Sequence, residues 1–105
     1  MISVPGPLVA VRSQPPTGAV VLNRTDKRNA LSREMLQQLL QSLDDLHQDP
    51  NVRAIVLTGN GPAFSAGMDL QEMLDTSEQD DAWEMWQKDA VLYRDVVETM
   101  LRFPK

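Results

Sequence analysis

Apolar positions along this chain fall into two kinds of run. Leu8-Val9-Ala10-Val11 and Ala19-Val20-Val21-Leu22 are short, continuous and largely β-branched, which predicts strands. Pro15, Pro16 and Gly18 mark a turn between them, short enough for the strands to pair as a hairpin. The period then changes. Met35, Leu36, Leu39, Leu40, Leu43 and Leu46 recur at helical spacing, with Gln37, Gln38, Gln41, Asp44 and Asp45 on the other face. Ser32 is a good N-cap, Glu34 sits in the first turn where the helix dipole favours an acid, and Asp49-Pro50-Asn51 ends the helix. Val52 to Thr58 is the next strand. Its uninterrupted centre, Ala54-Ile55-Val56-Leu57, suits a strand covered on both faces, as in a parallel sheet. Strand (19–23), helix (32–47) and strand (52–58) make a βαβ unit, for which a right-handed crossover is expected.

Gly59-Asn60-Gly61-Pro62 breaks the pattern, and a loop runs on to Gly67. A short helix is predicted from near Asp69, then a polar stretch from Thr76 to Asp81, then a longer helix. In that helix Trp83, Trp86, Ala90, Tyr93, Val97 and Met100 recur at steps of three and four, which predicts a core or subunit-interface stripe. The fold class is therefore α/β: an initial hairpin, a βαβ unit and a long C-terminal helix. No internal repeat or low-complexity segment is present.

Composition narrows the functional classes. The 105 residues fit one domain of modest size, and an apolar share of 42% permits a core. There is no cysteine, which excludes disulfides, thiolate metal sites and a cysteine nucleophile. The one histidine, His47, falls at a helix C-terminus, where a charge–dipole contact explains it; no metal site is expected. No apolar run approaches the roughly 20 residues a membrane helix needs, and MISVPGPLVAV lacks the basic n-region and long apolar stretch of a secretory signal. These features predict a soluble, cytoplasmic protein with no membrane partner. The net charge of −5 is uneven: residues 69–98 carry ten acidic side chains against Lys88 and Arg94. An acidic half of this kind is read as solvated helix surface, and it argues against a nucleic-acid partner.

Two segments could carry chemistry. The dinucleotide fingerprint fails at Phe64, and neither a Walker A motif nor GxSxG is present. Pro62-Ala63-Phe64-Ser65-Ala66-Gly67-Met68-Asp69-Leu70 runs from a strand to a helix start. Its small residues allow tight bending and close approach of backbone to a ligand, and amides at a helix start point outward unpaired, able to receive an oxyanion or phosphate. Asp69 can cap the helix that follows. An ordinary strand-to-helix loop accounts for the same pattern. In the second segment, Asn23 to Leu31, Arg24, Lys27 and Arg28 gather positive charge just beyond a strand's carboxyl end, where open α/β sheets bind ligands. Solvated surface side chains account for that pattern too. Together the segments suit a ligand with phosphates at one end and a developing negative charge at the other.

Asn23-Arg24, with Lys27-Arg28-Asn29-Ala30-Leu31-Ser32, resembles the NRPxKRNALS stretch of the crotonase (enoyl-CoA hydratase/isomerase) superfamily. Val56-Leu57-Thr58-Gly59, with Phe64-Ser65-Ala66-Gly67-Met68-Asp69-Leu70, resembles its VLTG…FSAGxDL stretch. Order, spacing and the intervening amphipathic helix agree, and the resemblance covers roughly Val9 to Lys105. It implies the N-terminal part of a crotonase-like ββα spiral, with residues 1–105 a single incomplete domain. It further implies binding of an acyl-CoA thioester, with coenzyme A part of the substrate and no separate cofactor. The first oxyanion-hole donor matches the Met68 backbone N–H. CoA-contacting positions match Lys27, Arg28 and Ala30 in one loop and Ala66, Gly67, Met68, Asp69 and Leu70 in the other. Thr25 stands where proline is common, and Gln71 where some hydratases carry a lysine near the phosphates.

In the family, the second oxyanion donor and the acid/base carboxylates lie beyond a segment resembling Phe103-Pro104-Lys105, and Glu72, Glu78, Glu84 and Glu98 do not match their positions. Three readings follow: part of an enoyl-CoA hydratase, part of an isomerase or other crotonase chemistry, or a non-catalytic CoA-binding or assembly module. The resemblance implies a trimer or hexamer for the parent protein. Helices mainly on one side would leave sheet surface uncovered, which a parallel sheet does not normally tolerate.

Overall fold

A computed structural model describes residues 7–105; the N-terminal features read from Met1 to Gly6 lie outside it. Strands β1 (Val9–Gln14) and β2 (Thr17–Leu22) pair antiparallel from Val9↔Leu22 to Gln14↔Thr17. Helix α1 (Arg33–Gln48) then crosses to β3 (Ala54–Gly59), which pairs parallel with β2 from Thr17↔Ala54 to Leu22↔Gly59. The sheet order is β1-β2-β3. Helices α2 (Leu70–Ser77) and α3 (Ala82–Leu101) complete the described chain.

The hairpin and the βαβ unit form as the hydrophobic pattern predicts, and the turn is tighter. Pro15 and Pro16, joined by a cis peptide, make it alone. Gly18 lies within β2, not in the turn. There a Cβ would sit 2.9 Å from a Leu46 methyl and 3.3 Å from a Val52 methyl, so the missing side chain lets α1 pack close to the strand.

Ser32 caps α1: its hydroxyl accepts the Met35 N–H at 3.2 Å. Met35, Leu36, Leu39, Leu43 and Leu46 bury one face of the helix against Val9, Val20 and Leu22 of the sheet, with Val52 and Val96 closing the cluster. At the other end of α1, the Lys105 ammonium donates to the Leu46 and Asp49 carbonyls at 2.8 and 2.7 Å. This satisfies carbonyls that the helix terminus leaves open. The His47 and Phe103 rings lie 5.3 Å apart beside it.

Two expectations are corrected. β3 is not covered on both faces, although its apolar run suggests that cover; it shows instead the uncovered sheet surface expected from helices mainly on one side. Ile55 and Leu57 turn toward the core, but Ala54, Val56 and Thr58 are exposed, because all three helices leave that side of the strand open. The stripe on α3 is also rotated. Val96 is its buried residue, with Leu92 and Tyr93 half-buried, whereas Trp83 is 71% and Val97 46% exposed, and Ala90 and Met100 are exposed too. α3 has apolar side chains over a wide arc, and α1 and α2 cover only part of it. Periodicity alone could not select which part.

Candidate functional site

β2 and β3 run parallel, and the Leu22↔Gly59 register brings their carboxyl ends to one edge of the sheet. The two candidate loops leave from that edge and are stitched together by main chain. Ala66 N–H donates to the Arg28 carbonyl at 2.8 Å, Leu31 N–H to the Gly67 carbonyl at 2.7 Å, and Asp69 N–H to the Leu31 carbonyl at 3.2 Å. The last two bonds form a parallel bridge between Leu31 and Met68. The first loop holds one 3₁₀ turn, Thr25–Lys27, followed by Arg28 and Asn29 at φ 52° and 57°.

This bridge fixes the Met68 amide. The Gly67 carbonyl and the Met68 N–H belong to one planar trans peptide, so they point in opposite directions. With the carbonyl held by Leu31, the N–H is turned away from the neighbouring loop, and it makes no hydrogen bond among the described residues. Gly67 adopts φ +89°, a conformation that favours glycine, and the space around its absent Cβ is open.

Met68 also lines a cavity of about 440 Å³ formed where the loop, α1, α2 and α3 meet. Its apolar wall is Leu31, Leu36, Met73, Trp86, Ala90 and Tyr93, and its polar groups are Arg33, Asp69, Glu72 and Asp89. The polar groups hold one another. Arg33 binds Asp89 through two bonds of 2.6 and 2.8 Å, and Glu72 accepts the Arg33 N–H at 2.8 Å. The Tyr93 hydroxyl donates to the Leu31 carbonyl at 3.3 Å. Burial, then the nearby charges of Glu72, Asp89 and Asp69, push its phenol above the ordinary value, so it remains a donor at neutral pH.

Asp69 caps α2, its carboxylate accepting the Glu72 N–H at 3.1 Å. Arg24 meets the same carboxylate at 2.6 Å and the Ala30 carbonyl at 3.0 Å. Burial works to raise the Asp69 pKa, but the Arg24 bond and the backbone donors outweigh it, and the group titrates below its usual range. A carboxyl depressed in the folded state stabilises above its unfolded pKa of about 3.9, and that stability is lost as pH falls through the folded value. Urea unfolding below about pH 4 should therefore weaken the wild type progressively. Asp69→Asn, already weaker at pH 7, should lose less stability over the same interval. Parallel pH profiles for the two proteins would remove Asp69 from the acid response.

The predicted site residues thus sort by role. Lys27, Arg28, Ala66 and Leu70 are exposed, and Ala30 and Gly67 are half-buried on the bridged loops. Arg24 does not add to the exposed basic patch, because Asp69, 45 residues away, draws it inward; the patch is Lys27 and Arg28. Leu36, Glu72, Met73 and Tyr93 also wall the cavity, though nothing in their local sequence marks them for it. Tyr93 and Trp86 stood out only as members of a helical stripe. Among the described residues, no group of His, Asp and Glu could hold a metal ion, and no helix is long and apolar enough to cross a membrane.

Comparison with known proteins agrees with this architecture. A family model described as enoyl-CoA hydratase/isomerase matches residues 16–101. A Thermus thermophilus protein designated an enoyl-CoA hydratase is 65% identical over 51 residues, covering 49% of this chain and 20% of that one. The hydroxycinnamoyl-CoA hydratase-lyase of Pseudomonas fluorescens is 49% identical over 53 residues, covering 50% of this chain and 19% of that one. The crystal structure of an enoyl-CoA hydratase from Shewanella pealeana superposes with a TM-score of 0.85 at 28% identity, over 93% of this chain and 36% of that one. The chain thus spans about a fifth of the length of these curated relatives and about a third of that solved structure.

Proposed function

The chain belongs to the enoyl-CoA hydratase/isomerase family, and from that premise we propose that it binds an acyl-CoA thioester and stabilises negative charge on the thioester oxygen through the Met68 N–H. The observation that carries this reading is the free, oriented amide of Met68, a residue that lines a largely apolar cavity. Backbone donors held in place before the reaction need no reorganisation when charge develops, and a site that excludes water strengthens each of them. The acyl chain occupies the cavity beside Leu36, Met73 and Trp86. Lys27 and Arg28, exposed on the adjoining loop, receive CoA phosphates, with Ala30, Ala66, Gly67, Asp69 and Leu70 shaping the wall between. No separate cofactor takes part. The most favoured whole-protein activity is hydration of a 2-enoyl-CoA, in a parent that assembles as a trimer or hexamer.

The carboxylates beside the cavity are engaged in structure: Asp69 with Arg24, Asp89 with Arg33, and Glu72 with the Arg33 amide. None stands free as a general base. The 105-residue chain is therefore expected to bind crotonyl-CoA saturably in a calorimetric titration, with no measurable loss of the enoyl absorbance. An absence of binding would contradict the thioester reading, and turnover by this chain would contradict the assignment of its carboxylates. A non-catalytic CoA-binding module would give the same calorimetric result; a donor role for Met68 separates the two.

A further inference from the structure

One fully buried side chain ties down the loop that carries Met68, and we infer that Asn29, acting through Ser65, is the positioning residue that sets the Met68 N–H toward a bound thioester. This rests on the oxyanion reading above.

Asn29 is 0% exposed although it lies in a polar loop. A buried amide of this kind is retained only where its polar atoms are satisfied, and here each of them is used. Oδ1 accepts the Arg24 N–H at 2.7 Å, and Nδ2 donates to the Asn60 carbonyl at 2.9 Å and the Ala63 carbonyl at 3.0 Å. The Asn29 side chain thus clamps the loop after β2 to the loop after β3. Its φ of +57° is one that asparagine adopts more readily than most residues. Gly59 keeps the clamp close: a Cβ there would sit 2.8 Å from Asn29 Nδ2 and closer still to the Phe64 carbonyl oxygen.

The Asn29 main-chain carbonyl, set in place by that clamp, reaches the site through Ser65. The Ser65 hydroxyl donates to the Asn29 carbonyl at 2.8 Å and accepts the Gly67 N–H at 3.0 Å. Gly67, as a glycine, has wide backbone freedom, yet both its polar groups are held, the N–H by Ser65 and the carbonyl by Leu31. The peptide that bears the Met68 N–H begins at that carbonyl. Without the Ser65 relay, Gly67 is restrained on one side only, and the direction of the Met68 N–H is free to vary.

Two variants of the full chain, labelled with ¹⁵N, test this. Ser65→Ala removes the relay and leaves the other Asn29 bonds. Asn29→Asp keeps the shape but sets an oxygen against the Asn60 and Ala63 carbonyls, and where it folds it should speed exchange at Leu31 and Asp69 as Ser65→Ala does, wild-type rates there overturning the role of Asn29; if it does not fold, Ser65→Ala decides alone. Ser65→Ala is expected to leave amide exchange within α1, at Leu39 and Leu43, at the wild-type rate. Exchange at Leu31 and Asp69 should rise about tenfold, and the shift of the Met68 amide resonance at saturating crotonyl-CoA should fall by about half or more, with the dissociation constant changed less than about threefold. Wild-type exchange at Leu31 and Asp69, acceleration spread evenly through α1, or an unchanged Met68 shift at saturation would each overturn the positioning role. A wild-type Met68 resonance that ignores crotonyl-CoA would instead sink the oxyanion reading, and the exchange rates would still report whether Ser65 holds the loop.

Discussion

Met68→Pro, placed in a full-length domain carrying this segment, is expected to lower kcat by about 10²–10³-fold, while Met68→Ala costs less than about tenfold. The asymmetry follows from which atoms are used. Proline has no N–H to give. The bridge to Leu31 uses the Gly67 carbonyl and the Asp69 N–H, so it is independent of the Met68 donor. Alanine keeps the donor and removes only a half-exposed side chain at the cavity wall. An interaction made chiefly with the developing oxyanion stabilises the transition state more than the bound substrate, so the loss should fall on kcat more than on KM. Equal loss in both variants, in a steady-state assay with crotonyl-CoA, would move the donor elsewhere.

Leu36→Ala is the second large effect. Leu36 is 2% exposed in the cluster that joins α1 to the sheet, and it also forms part of the cavity wall. Truncating a buried leucine typically costs about 2–5 kcal/mol. Folded domains have only about 5–15 kcal/mol in total, and this chain leaves one side of β3 exposed. A loss of that size should lower the urea midpoint sharply with little change in slope. Gln37→Ala, one position away on the exposed face, should stay within about 0.5 kcal/mol of wild type. Similar costs at both positions would mean that α1 is not docked as described.

What could be read from the sequence was what short-range chemistry determines. Ser32 and Asp69 cap helices because a short polar side chain three residues before an unpaired amide can reach it, and both do. The apolar stripe on α1 fixed which face meets the sheet. The βαβ pattern put two parallel strand ends at one edge, and with them both candidate loops. What stayed hidden depends on contacts far apart in the chain. Arg24 looked like surface charge until its partner at position 69 was in place. The α3 stripe was wide enough that only the position of α1 and α2 could decide which part is buried. The apolar run of β3 alone suggests an interior strand, whereas the order of helices along the chain points to the one-sided cover that is found. Asn29 sat inside a recognisable motif, but its burial and its bonds to Asn60 and Ala63 come from a loop more than 30 residues on.

Whether the Met68 amide meets the thioester oxygen decides the function proposed for this chain. Difference infrared spectra of crotonyl-CoA carrying ¹³C at the thioester carbonyl, bound to this chain, report on that contact directly, because a hydrogen bond to the oxygen weakens the carbonyl bond. The stretch should fall to lower wavenumber on binding to the wild type and to Met68→Ala, and return to the value of free ligand in Met68→Pro. An unshifted carbonyl in the wild type, or an equal shift in the proline variant, would contradict the assignment.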